Sequence, residues 1–192
     1  MRTEVNTMTR KVKMAVIGTG RMGSIHCRNI ARQIPEADLV ALCDIRLEVA
    51  QAVADELGIA RVVRDYQELL ADPQIEAVLI ASSTDTHGFI VKDCARAGKQ
   101  IFCEKPLSQD LAQCDRAIAA VKQAGVKLQM GFMRRFDPPY AAAKRKILEG
   151  VIGKPVMFKG TSRDPMRTSL EFAKRENSGG LIVDMGVHDF DL

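Results

Sequence analysis

The sequence predicts an α/β fold: a doubly wound parallel sheet, followed by the start of a second, incomplete α+β unit. Three observations predict it. Short apolar runs alternate with stretches of helical apolar spacing from Val12 to Met130, and strands that alternate with helices build a parallel sheet covered on both faces. The first apolar run stops at a glycine-rich loop, GTGRMG, that opens a helical pattern. The second run ends in an acid, Asp44. Connections between the strands are then expected to be right-handed.

VKMAVI (12–17) is a short apolar run of the kind a buried parallel strand shows. Helical character follows over 24–34, and DLVALCD (38–44) is the second strand. Leu47, Ala50, Val53, Ala54 and Leu57 lie at helical spacing, with Gly58 placed to end the helix in a left-handed cap. A short strand at 61–63, a helical turn at 66–70 closed by Asp72-Pro73, and the continuous apolar strand at 77–81 come next. A helix at 87–97 stops before Gly98, and strand 100–103, helix 108–124 and strand 126–130 complete the series. After Gly131 the pattern changes. Pro138-Pro139 breaks the chain, 140–149 reads as a helix stopped by Gly150, and 154–161 reads as a strand opening a new layer. Residues 161–178 read as polar loop, and 179–192 as the first turns of a helix. There are no internal repeats and no low-complexity tract.

A chain of 192 residues with 46% hydrophobic and 27% charged content is ordinary for a soluble globular protein. Its net charge of +4 suits an anionic small molecule. It is no nucleic-acid signature, since no dense Lys/Arg block with interleaved aromatics occurs and Trp is absent. The five cysteines are odd in number and show no CxxC spacing, which reads as buried thiols in a reducing compartment. No arrangement of His, Cys and acid has metal-ligand spacing. The polar N-terminus has no apolar signal core, and no stretch reaches the roughly 20 apolar residues of a membrane span. These features lead to the expectation of a cytoplasmic protein without membrane or nucleic-acid partners.

Gly18, Gly20 and Gly23 form GxGxxG between a predicted strand and a predicted helix, the context in which that motif binds a dinucleotide. Gly18 permits the tight turn, Gly20 lets the backbone approach a pyrophosphate, and Gly23 lets helix and strand pack closely. The helix start, with Thr19, Arg21 and Met22 completing the loop, offers N–H groups and partial positive charge to the phosphates. Asp44, 21 residues after Gly23, can accept the ribose hydroxyls and repel a 2′-phosphate. NAD is therefore favoured over NADP, although Arg46 beside the acid blunts the distinction. The fold class is thus a Rossmann-type sheet. The expected division is a disordered leader (1–11), a dinucleotide-binding domain (12–131) and the beginning of a substrate domain (132–192).

FCEKPL, at 102–107, carries Glu-Lys-Pro from the end of the fifth strand to the carboxyl edge of the sheet, where ligands bind. A lone loop lysine is ordinarily solvated surface. Here it occurs in order with GTGRMG, GFMRRFDP, TSRDP and SGGLIVDMGVHDFD. Together these segments resemble the Gfo/Idh/MocA oxidoreductases, and most closely their inositol 2-dehydrogenase branch. The resemblance implies an NAD-dependent dehydrogenase acting on a secondary hydroxyl of a cyclitol or sugar. It implies Lys105, Asp184 and His188 as catalytic residues, all three in contact with substrate, with Arg134 and Asp164 as further substrate contacts. It places Ser82, Ser83, His87 and Glu104 near the cofactor beside Lys105.

The residue types suit that chemistry. Oxidising an alcohol removes a proton from oxygen while hydride leaves carbon, and a histidine with an ordinary pKa near 6.5 can accept that proton. Residues four apart share a helical face, so Asp184 is expected to orient the His188 imidazole. Lys105 would supply positive charge where an alkoxide develops. His26 reads as structural, and His87 is open between helix-start hydrogen bonding and a cofactor contact.

Asp184, His188, Asp189 and Asp191 crowd into the last nine residues, where family members continue into a large open sheet that usually forms an oligomer interface. The chain is therefore expected to be a low-activity fragment of a form that can be a homo-oligomer. Val156, Phe158, Leu181 and Val183 would then lack packing partners. The alternative reading is a non-catalytic dinucleotide-binding module or sensor. Within the enzyme class the substrate stays open among cyclitols, aldoses and amino-cyclitols.

Overall fold

The computed structural model describes residues 10–163 and 169–192. Residues 1–9 of the expected leader lie outside the described residues, as does Asp164. Among the described residues, six parallel strands form one sheet in the order β3-β2-β1-β4-β5-β6. They are β1 (Val12–Ile17), β2 (Ala37–Cys43), β3 (Arg61–Val63), β4 (Ala77–Ile80), β5 (Gln100–Cys103) and β6 (Leu128–Met130). The helices between them are α1 (Arg21–Gln33), α2 (Leu47–Leu57), α3 (Gln67–Leu70), α4 (His87–Arg96) and α5 (Leu111–Ala124).

The apolar runs are buried on both faces because helices cover both. Val16, Leu42 and Leu79 pack with Cys27 and Ile30 of α1 and Ala50, Val53 and Ala54 of α2. Ala15, Ile17, Val78, Ile80, Ile101 and Cys103 pack on the other face with Ile90, Val91 and Cys94 of α4 and Ala117 and Val121 of α5. Alternate residues of each strand thus serve opposite layers. Leu42 has no solvent exposure. Leu42→Ala is expected to cost about 2–5 kcal/mol, read as a clear fall in the midpoint of thermal unfolding.

β1 lies between β2 and β4, and the strand order reverses between β1 and β4. A crevice opens there at the carboxyl ends of the strands, the place where ligands bind in such sheets. The loops after β1 and β4 form its walls. Helices α2 and α5 end on left-handed glycines, Gly58 and Gly125, as a C-terminal cap requires.

The chain beyond β6 differs from the sequence expectation. Helix α6 (Pro138–Leu148) forms, with two prolines opening it. The expected strand at 154–161 does not: that segment has no regular structure, and Val156 and Phe158 are exposed. A strand persists only where a neighbour takes its N–H and C=O groups, and no strand pairs with this segment among the described residues. The region read as polar loop instead holds two four-residue helices, Leu170–Ala173 and Arg175–Ser178. The C-terminal stretch is helical but irregular, a π-turn at Ile182–Gly186 running into Val187–Phe190.

Candidate active site

The glycine loop is built as its sequence demands. Gly18 has φ +90°, and a Cβ there would lie 2.5 Å from the Ser82 backbone nitrogen, so the turn presses directly on the chain leaving β4. A Cβ on Gly23 would lie 1.8 Å from the Gly18 carbonyl oxygen. Only glycine lets α1 start this close to the loop. Gly20, by contrast, would direct a Cβ into open space. It precedes the first turn of α1, which has neither a side-chain cap nor an acidic residue. Backbone N–H groups, helix dipole and clear space therefore coincide at Gly20, and the loop fits a pyrophosphate.

Asp44 is buried at the end of β2. Its Oδ2 accepts hydrogen bonds from Thr19 N at 2.8 Å and Thr19 Oγ1 at 3.0 Å, and its Oδ1 accepts from Arg46 N at 3.0 Å. A carboxylate offers about four acceptor positions, so one stays open and a turn of the Thr19 hydroxyl frees another. That pair fits two ribose hydroxyls. Arg46 Nε stands 4.0 Å from Oδ1.

The loop after β5 sets Lys105 across the crevice. Lys105 Nζ donates to the Asp184 backbone carbonyl and to Asp184 Oδ1, each at 2.8 Å. This joins the Glu-Lys-Pro loop to the C-terminal π-turn, 79 residues away in sequence. Asp184 does not orient His188 as its four-residue spacing suggests. The i→i+5 repeat of a π-turn carries residue 188 out of line with 184, and the carboxylate goes to Lys105. His188 Nδ1 is buried without a hydrogen-bond partner. Desolvation holds the imidazole below the ordinary histidine range; the Lys105 and Arg134 charges add to the shift, while Asp184 and Glu104 oppose it.

The chain belongs to the GFO/IDH/MocA oxidoreductase family. The family model described as "Oxidoreductase family, NAD-binding Rossmann fold" matches residues 12–132, and that of the GFO/IDH/MocA C-terminal domain matches residues 140–192. The chain is 46% identical over 185 residues to a scyllo-inositol 2-dehydrogenase (NAD(+)) of Bacillus subtilis, covering 96% of this chain and 54% of that protein. It is 43% identical over 181 residues to a myo-inositol 2-dehydrogenase of Thermotoga maritima, covering 94% and 53%. Its structure matches that of a scyllo-inositol dehydrogenase from Lactobacillus casei with bound NAD(H) and scyllo-inositol. The TM-score is 0.81 at 30% identity, with 95% of this chain and 55% of that one covered. The chain thus spans about half the length of the curated relatives it matches.

Within this family site, several expected residues are turned differently from the simplest reading. Ser82 Oγ shares a 2.7 Å hydrogen bond with Thr86 Oγ1, and the Ser83 carbonyl accepts from the same hydroxyl. His87 is buried, with both ring nitrogens facing backbone carbonyls, which favours local hydrogen bonding over a cofactor contact. The Glu104 carboxylate faces His26 and the Lys105 amide. Burial pushes its pKa up, but His26 and Lys105 outweigh that and hold the group below the usual carboxylate range.

Arg134 bonds Asp189 Oδ1 and the Ser162 hydroxyl, which itself donates to Asp189 at 2.6 Å. Arg135 forms a forked pair with Asp191 at 2.6–2.9 Å. Sequence reasoning gave no role to Arg135, Ser162, Asp189 or Asp191. The available signal was charge: two adjacent arginines after β6 and two acids flanking Phe190. These pairs fasten the His188 segment to the loop after β6.

Burial pushes the Cys27, Cys43 and Cys94 thiols up to about 12, far from the thiolate a nucleophile needs. Among the described residues no group of three His, Cys, Asp or Glu side chains could hold a metal ion, and no helix is long and apolar enough to cross a membrane.

Proposed function

We propose that this chain carries the cofactor-binding and acid/base residues of an NAD-dependent dehydrogenase oxidising a secondary hydroxyl of an inositol-class cyclitol. The observation that carries the reading is the Lys105–Asp184 pair with the unpartnered imidazole of His188 in its field, beside the glycine-loop crevice. NAD, held by the glycine loop and Asp44, would supply the acceptor for the hydride that leaves the carbinol carbon. His188 takes the hydroxyl proton on a ring nitrogen. The Lys105 ammonium stabilises negative charge developing on that oxygen, and Asp184 holds the ammonium in place. A secondary alcohol that gives up this proton and a hydride would become a ketone, so the reaction balances without a further reactant. Arg134 and Asp164 remain proposed substrate contacts, Arg134 by exchanging its present partners for substrate hydroxyls. Gly18 to Gly23, Asp44 and the Ser82–Ser83 segment are proposed to line the cofactor.

The substrate class comes from the relatives named as inositol dehydrogenases. Residues from 132 onward are proposed as the beginning of the substrate domain, and homo-oligomerisation is proposed for a longer form. The polypeptide 1–192 by itself is proposed to turn over slowly. Leu181, Ile182 and Phe190 around the His188 segment are 73, 70 and 82% exposed, so little packing holds the base in place. The same observation favours the second reading, a dinucleotide-binding module without turnover.

The test is NAD reduction, followed at 340 nm, by the purified chain with myo-inositol, scyllo-inositol and a panel of aldoses, beside calorimetry of NAD binding. Slow inositol-dependent reduction is expected. Binding without reduction by any polyol would leave the binding-module reading for this polypeptide. Absence of binding would overturn both.

A further inference from the structure

Lys105 is the residue on which the dehydrogenase reading turns, and its neighbours on both sides are each held by a histidine. On the N-terminal side, His26 Nε2 lies 2.7 Å from Glu104 Oε1, while Glu104 Oε2 accepts the Lys105 amide at 3.2 Å. Both side chains are largely buried, His26 20% and Glu104 14% exposed. The imidazole also meets the edge of Phe102, at 5.5 Å between ring centroids. On the C-terminal side, His87 Nδ1 lies 2.8 Å from the Pro106 carbonyl oxygen, and its Nε2 3.1 Å from the Ser82 carbonyl oxygen. Proline has no N–H, so that carbonyl is the single backbone hydrogen-bonding group Pro106 possesses.

The two histidines come from different parts of the cofactor crevice. His26 stands in α1, three residues after the last glycine of the loop, and His87 opens α4 directly after the Ser82 loop. From these contacts we infer that His26 and His87 are positioning residues. They form a two-sided clamp that fixes the backbone of 104–106, and with it the Lys105 ammonium, to the two loops that line the cofactor. Neither ring contacts Asp184 or His188 through a hydrogen bond; each acts through the residue beside Lys105. The chemistry favours the clamp over simple core filling. A carboxylate as buried as Glu104 is costly unless paired, and its partner here is the helix that the glycine loop begins. A lysine ammonium at the end of a flexible four-carbon stem is placed only as well as its backbone is held. A displacement of about 1 Å at a reacting group can cost about 10²-fold in rate.

The inference rests on the dehydrogenase reading for its effect on rate, but the clamp itself can be read without turnover. The variants are His26→Leu and His87→Leu, which fill the ring's space without a polar end, against His26→Gln and His87→Asn. The Gln amide nitrogen reaches about where Nε2 sits, and the Asn amide nitrogen about where Nδ1 sits. Hydrogen exchange of the 104–108 segment is measured by mass spectrometry on the whole chain, with thermal unfolding to confirm folding. Each Leu variant is expected to speed exchange there about fivefold or more, the opening that follows loss of one net hydrogen bond. Each is also expected to lower kcat about 10- to 100-fold, with KM for NAD little changed. The amide variants are expected to restore both.

Unchanged exchange in the Leu variants would overturn the clamp. So would amide variants that behave like Leu, because that would make the rings mere packing. If a Leu variant fails to fold, the other histidine carries the same readout, since both hold one loop. If the unsubstituted chain shows no turnover with any polyol, the dehydrogenase reading of this polypeptide falls while the exchange result still decides the clamp.

Discussion

His188→Ala is expected to lower kcat/KM for inositol oxidation by about 10²- to 10⁴-fold, the contribution of a positioned general base. NAD affinity should be unchanged, because the ring lies with the C-terminal turn and not in the glycine loop. The pH dependence gives a sharper form of the same prediction. Desolvation, then the charges of Lys105 and Arg134, hold His188 below its ordinary value. A lowered pKa means that the proton leaves at lower pH. The base is therefore ready below the usual histidine range near 6.5, and the acidic limb of kcat/KM should fall below that value. The linked effect on stability has a definite sign. As pH drops below about 6.5 the unfolded chain takes up this proton first, so the His188 contribution to stability fades as pH falls through the folded value. Lys105→Ala removes one of the two positive charges and should move the limb upward. An NMR titration of the His188 ring reads the same shift without turnover. A limb at or above the free-histidine value in the unsubstituted chain would remove His188 as the base held in this field.

Gly23→Ala is expected to be the most damaging single-methyl change in the nucleotide-binding part of the chain. The added Cβ would stand 1.8 Å from the Gly18 oxygen and 2.8 Å from the Gly18 carbonyl carbon, both backbone atoms that no rotamer change can move aside. Helix α1 must shift off the loop. The cost should reach or exceed the upper end of the usual overpacking range, about 3 kcal/mol. For a chain of this size that lowers the unfolding midpoint by about 6–12 °C. Gly20→Ala is the matched control. Its backbone has φ −61°, which any residue adopts, and its Cβ would meet nothing within 4 Å. It should fold as the parent does and lose NAD affinity, because the methyl enters the space the pyrophosphate needs. Calorimetry and thermal unfolding separate the two. Equal stability of Gly23→Ala and the parent would contradict the close approach of α1 to the glycine loop.

The strand and helix order up to Met130 was legible because each element carries its own local signal. AVLI and the second half of VKMAVI, residues 15–17, are buried on both faces and so read as unbroken apolar runs. The 154–161 segment carries a comparable apolar signal but forms no strand, because a strand exists only with a partner to take its hydrogen bonds. The four-residue spacing of Asp184 and His188 misled in the same way. A π-turn altered the repeat that the spacing argument assumes. His26 carried no functional signal at all, because its meaning lies in Glu104, 78 residues on.

The sequence by itself determined the sheet-and-helix alternation, the glycine loop with its acid at Asp44, and the identity of the charged groups at the crevice. Periodicity, backbone permissiveness and charge are properties of short segments. Only the tertiary structure decided the pairings: Lys105 with Asp184, Glu104 with His26, Pro106 with His87, and Arg134 and Arg135 with Asp189 and Asp191. Each charged group had several partners of suitable chemistry along the chain. The crossovers bring Glu104 to His26, where burial makes an unpaired charge too costly to keep, and the helical stretch from Ile182 to Phe190 carries the acids to Lys105, Arg134 and Arg135.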